Sequence, residues 1–146
     1  MKMQKTELAI ATVPIQKWGP VYDGEKALEI GTIFEELNMP FFAAEELKAS
    51  RPSVPRSVKE QESCDLMKKL METDFVIQDL TLYLDTHEED KEALKLFQEK
   101  SREQAELKER FSKEFYPLTR DCMANCPGGD HFCWQSGPIP WEGVCV

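Results

Sequence analysis

Between residues 66 and 84 the positions Leu66, Leu70, Thr73, Ile77, Leu80 and Leu84 return at steps of four, three, four, three and four. That period lines one side of an α-helix. Met67, Met71, Phe75, Leu82 and Tyr83 broaden the stripe. The pattern stops at Asp85-Thr86-His87. Thr86 is placed to cap a second helix, with Glu89 in the reciprocal position three residues on. Glu88, Glu89 and Asp90 would then sit at the positive end of its dipole. On this reading Asp85, Thr86 and His87 are turn and capping residues, which explains them without catalysis. The second helix runs to about Phe115 on a sparser stripe of Ala93, Leu94, Phe97, Leu107, Phe111 and Phe115, with polar residues across 98–104. Glu106/Arg110 and Glu109/Lys113 have the favourable i,i+4 order, and Tyr116-Pro117 ends the run.

A turn of one to three residues between two helices makes an antiparallel hairpin. The fold expected is therefore mainly α: a two-helix hairpin over 60–116, with arms of about 30–40 Å and 40–45 Å at ~1.5 Å per residue. An irregular tail follows over 117–146. Upstream, 43–59 is polar, contains Pro52 and Pro55, and reads as a linker; Ser57-x-x-Glu60 at its end has the form of a capping box opening the first helix.

Within an N-terminal extended segment over 1–42, residues 6–42 are apolar and aromatic, broken by Pro14, Gly19, Pro20, Gly24, Gly31 and Pro40. Breaks that frequent forbid a long helix. Only "DGEKALEIG" makes a short one, with Asp23 near its start and Gly31 just past its end. The rest reads as extended chain, and Trp18, Tyr22, Phe34, Phe41 and Phe42 are too many aromatics for a solvated segment. It docks either on this chain's own helices or on another chain. Two helices alone bury too little apolar area to be comfortably stable. The N-terminal segment, the tail or another chain, including a second copy in a homo-oligomer, must complete the core.

The 146 residues carry a net charge of -9, most of it on 61–117, where 15 acids face 9 bases. That is the composition of solvated helix faces, and an acidic chain without a basic stripe repels nucleic acid. No apolar run reaches the ~18–20 residues that span a bilayer. Glu7 and Pro14 interrupt the N-terminal apolar run, which reads against a secretory signal. Catalytic constellations are missing: neither His87 nor His131 belongs to a Glu-x-x-His pair, and there is no GxGxxG or GxxxxGK. The expectation is a protein that is not an enzyme and holds no cofactor.

The tail offers the best site chemistry. Cys122, Cys126, His131 and Cys133 supply three thiols and an imidazole, enough for a tetrahedral zinc site, with Pro127-Gly128-Gly129 as the turn. The same cysteines could form disulfides in an oxidising layer, or have no special role. Five cysteines leave at least one outside any intramolecular pairing. Beside them "WQSGPIPWEG" sets Trp134, Pro138, Pro140 and Trp141 on a stiff aromatic surface suited to binding protein.

"LYLDTHEEDKEAL", "FYPLT" and the closing "GPIPWEG" together resemble the CotJB family of bacterial spore-coat proteins. "VPIQKWGPVYDGEKALEIGTIFEELNMPF" resembles the small CotJA family. Glu35, Asn38, Glu88 and Ile139 depart from the usual family residues. The resemblance implies two small coat proteins fused into one chain, made in the mother-cell cytoplasm and deposited in the spore coat. It implies a structural role beside other coat proteins, in particular one that resembles manganese catalases. Trp18, Phe34, Phe41, Trp134, Pro138, Pro140 and Trp141 are then the expected contact residues. The alternative is a zinc- or redox-responsive module built on the Cys/His cluster.

Overall fold

The structure, a computed structural model, describes residues 15–39, 57–125 and 132–138. Among them three α-helices follow in order: α1 (Gly24–Ile30), α2 (Val58–Leu84) and α3 (Lys91–Glu114). The start of α2 is the predicted capping box. The Glu60 carboxylate accepts the Ser57 amide at 2.7 Å, and the Ser57 hydroxyl accepts the Glu60 amide at 3.3 Å. The short helix also ends where its flanking residues predict. Asp23 accepts the Lys26 amide at 3.0 Å, and Gly31 closes α1 at φ 95, a left-handed conformation that glycine takes without strain.

α2 and α3 pack antiparallel as the expected hairpin, but the connection is longer than one to three residues. The cap of α3 is Asp90, not Thr86: its carboxylate accepts the amides of Glu92 and Ala93 at 3.1 and 3.2 Å. Tyr83 fixes this choice by donating its hydroxyl to the other Asp90 oxygen at 3.0 Å. Thr86 instead donates back to the Tyr83 carbonyl at 3.1 Å and closes the end of α2. α3 is consequently about 36 Å long, roughly a turn shorter than the spacing suggested.

The core has two parts. At the turn end, Ala27, Ile33 and Phe34 of the N-terminal segment join Val76, Leu80, Tyr83 and Ala93. At the open end, Leu66, Leu70, Leu107 and Phe111 meet, flanked by Phe115, Tyr116 and Leu118. Between them the helices meet through polar groups: Gln104 donates to Asp74, Lys108 lies 3.8 Å from Asp74, and Glu103, paired with Lys100 of its own helix at 2.8 Å, reaches Lys69 of α2 at 3.7 Å.

This division corrects the predicted stripes. Val76 is buried where Ile77 was expected, and Ile77 is only half-buried, because the N-terminal segment covers that flank of α2, while Tyr83 and Leu84 both join the core as predicted. Leu94 is exposed and leaves its place to Leu96 and Phe97. Glu109 and Lys113 pair at 2.6 Å as predicted, whereas Arg110 pairs with Glu114 at 2.9 Å. "GTIFEELNMPFF" is not extended throughout: Glu35–Leu37 folds into a 3-10 turn. Among the described residues no helix is long and apolar enough to cross a membrane.

Two carboxylates tie stability to pH. The Ala93 amide, against a smaller opposing effect of burial, holds the Asp90 carboxyl below its usual range, helped by the Tyr83 hydroxyl and the Glu92 amide. The Lys100 amine does the same for Glu103. A depressed carboxylate stabilises the fold above its unfolded pKa, and that contribution is lost as pH falls through the folded value. The urea midpoint is therefore expected to hold down to about pH 5 and to drop below about pH 4. A midpoint that climbs on acidification over that interval contradicts the assignment.

Candidate functional site

Tyr83, in the last turn of α2, is the centre of the turn end. The His87 ring stacks on it at 4.2 Å between centroids and 4° between planes. Trp18 meets it edge-on at 5.5 Å, Phe34 lies tilted by 35° at 5.2 Å, and Trp18 and Phe34 meet each other edge-on at 6.0 Å and 84°. Offset and edge-to-face pairs at such distances are the favourable aromatic geometries. His87 Nε2 lies 2.7 Å from the Gln16 carbonyl oxygen. A carbonyl can only accept, so this nitrogen donates, while Nδ1 sits 2.8 Å from the Thr86 hydroxyl.

The second tie is polar. Asp79 Oδ2 accepts the Ile33 amide at 2.8 Å and the Thr32 hydroxyl at 3.1 Å, and that hydroxyl accepts the Phe34 amide at 3.1 Å. Tyr22 donates its amide to the Ile33 carbonyl at 2.8 Å, in the antiparallel bridge of Val21 with Phe34. On the rim, Lys68 bonds to Glu25, an exposed pair that contributes little by itself.

These contacts decide between the two docking readings for residues 15–39: the segment lies on this chain's own hairpin. Phe34 is 2% exposed and Trp18 half-buried. In this fold Phe34 faces its own core, which corrects its expected place on a partner-facing surface. Asp85 is the exposed C-cap of α2, donating its amide to the Thr81 carbonyl at 3.0 Å. His87 does more than turn the chain, since it holds Gln16.

At the open end the tail makes two 3-10 turns, Arg120–Asn125 and Cys133–Ser136, which touch each other. Cys133 is buried and disulfide-bonded, while its neighbours Phe132 and Trp134 are 64% and 47% exposed, and Pro138 is exposed. Gly137 lies on the Tyr116 ring so closely that an added Cβ would stand 2.8 Å from Cδ2. Cys64 is buried and also disulfide-bonded. Every other cysteine lies at 122 or beyond, so its bond ties the first turns of α2 to the tail. Closing so long a loop is worth about 4 kcal/mol in the chain-entropy model.

Cys122 is a buried free thiol, 3.2 Å from the Thr119 hydroxyl. Burial pushes its pKa up, but hydrogen bonds with Thr119, Ser112 and backbone amides outweigh that and bring it below the ordinary thiol value. Of the proposed zinc quartet, Cys133 is a disulfide sulfur here, and Cys126 and His131 lie outside the described residues, as do Phe41, Pro140 and Trp141. Among the described residues no three metal-binding side chains converge.

Three positions that organise these contacts escaped the sequence reading. Asp79 had a signal, since it shares a helix face with Val76 and Tyr83 and an acid there needs donors. Tyr83 looked like one more apolar residue, because its bond to Asp90 depends on where α3 begins. Gly137 carried no local mark of its contact with Tyr116.

A family model described as CotJB protein matches residues 64–142, more than half of the chain. A second, described as Spore coat associated protein JA (CotJA), matches residues 7–41. The gap between the matches, 42–63, contains the predicted linker and the first residues of α2. No curated protein and no solved structure matches.

Truncating a large buried aromatic costs about 3–5 kcal/mol, whereas an exposed surface substitution stays within about 0.5 kcal/mol. Phe34→Ala should thus lose several kcal/mol in urea denaturation followed by circular dichroism, and Phe132→Ala almost nothing. Equal losses would contradict this assignment of roles.

Proposed function

Because the chain belongs to the CotJB protein family, with a region of the spore coat associated JA family ahead of it, we propose that it is a structural and assembly component of the endospore coat. Both families are spore-coat families, and the coat is where this protein belongs. Its role in the proposal is contact rather than catalysis, and the principal partner is the coat protein that resembles manganese catalases. The contact surface is the aromatic tail: Phe132, Trp134 and Pro138, continued by Pro140 and Trp141.

One observation carries this reading. Trp18 and Phe34 are used inside the chain, while Phe132 and Trp134 project from a tail segment whose Cys133 is buried and bonded. An exposed Trp beside an exposed Phe and a Pro is the composition of an interface core, not of a solvated turn. Anchoring by Cys133 between them and by Gly137 against Tyr116 fixes the pair before any partner arrives, which lowers the ordering cost of binding.

Co-expression with the catalase-like coat protein and size exclusion tests it. Co-elution is expected, and Trp134→Ala with Phe132→Ala should weaken binding at least ~30-fold, the range of interface hot spots. The folded chain passing through as a monomer that ignores that protein would overturn the proposal.

A further inference from the structure

We infer that the turn-end surface of the hairpin is an exchangeable docking site, and that its second occupant is residues 15–39 of another copy of this chain. The segment seated there in cis joins the hairpin through side-chain packing and a small set of hydrogen bonds centred on Asp79 and His87. Each of these contacts is non-covalent and can be remade with the same geometry by an identical segment from a neighbour.

Chain length permits the exchange. Phe34 lies on Tyr83 at one end of α2, and Met39 follows five residues later. Ser57 caps the opposite end of α2, about 40 Å away by helix length. Residues 40–56 join the two, and that length of chain can span up to roughly 60 Å when extended. The connection therefore reaches its own hairpin without closing a tight turn, and it can reach an adjacent molecule's as well. The segment and the hairpin are also separate units by sequence, matched by two different family models over 7–41 and 64–142, with most of this connection lying between the matches. Swapping an identical element is a low-cost route to association when the connecting loop allows it.

Concentration sets the outcome. Tethering gives the segment an effective concentration of around millimolar for its own hairpin. A dilute chain is therefore closed on itself, and exchange competes only when neighbouring chains are packed to a similar concentration, as in a deposited layer. Each exchange leaves a partner hairpin or segment open, so swapped chains can extend further or close as pairs.

The test needs only this chain, so its failure is distinct from failure to bind the catalase-like protein. A protease site is introduced within residues 40–56 of the full-length protein, which is then cut under native conditions. The two pieces should stay together at micromolar concentration on size exclusion. A labelled peptide of residues 15–39 should enter the cut protein, and the same peptide with Phe34→Ala should enter at least ~30-fold less well. The uncut chain should exclude the peptide at micromolar concentration yet form dimers after concentration to near millimolar. Pieces that separate, a cut protein that takes up neither peptide or both alike, or an uncut chain still monomeric near millimolar each overturn the inference.

Discussion

Tyr83 holds three parts of the molecule in one place. Its backbone ends α2, its hydroxyl bonds to the residue that caps α3, and its ring lies among His87, Trp18 and Phe34. Burial, reinforced by the Asp90 carboxylate, pushes its pKa up to about 12, so the phenol remains a hydrogen-bond donor throughout the physiological range. The consequence is geometric. With the hydroxyl engaged by Asp90, α3 must begin at Lys91, and the side chains of Ala93, Leu96 and Phe97 turn toward the core. The start of one helix and the seat of the N-terminal segment are therefore set by the same residue.

Aromatic area holds the segment down, but it does not choose its register. That choice falls to Asp79. A carboxylate half-buried on the covered face of α2 is costly without donors, and the structure gives it two, the Ile33 amide and the Thr32 hydroxyl. Sliding the segment by one residue would move both donors away and would turn Ile33 and Phe34 out of the core. Gly31 contributes by ending α1 just before Thr32, so that the short helix and the bonded strand-like residues meet α2 at adjacent places. The polar middle of the hairpin explains why this clamp is needed. Between the two apolar ends the helices meet through Gln104, Asp74, Glu103 and lysines, groups that align the helices but add little net stability.

Most of the architecture was readable from spacing because it rests on local rules. Caps at Asp23, Gly31 and Ser57 depend on residues within a turn of each other, and all three stand where the sequence places them. The hairpin follows from the helical period of its two arms. What local rules could not supply was the start of α3, since Thr86 and Asp90 are both good caps and a side chain seven residues back decides between them. The same holds for Ile77 against Val76. Either fits a helical stripe, and only the covering segment, some 40 residues away in sequence, determines which face is buried. Phe34 shows the limit for function as well, because an aromatic marked for contact does not reveal whether the contact lies within the chain or beyond it.

The two ends of the hairpin are thus unequal, and the difference bears on assembly. At the turn end the aromatics are covered and their polar partners bonded, so that surface is available to another molecule only by displacement of what already occupies it. At the open end Phe132 and Trp134 are uncovered, yet the residues beside them are fixed: Cys133 by a disulfide, Gly137 against Tyr116. In the proposed exchange, a surface of the first kind responds to concentration and joins like to like. In the proposed function, a surface of the second kind receives a different protein at any concentration. Taken together, the two proposals have the chain bind an unlike partner while dilute and add neighbours of its own kind once crowded, an order of events that suits a layer built outward.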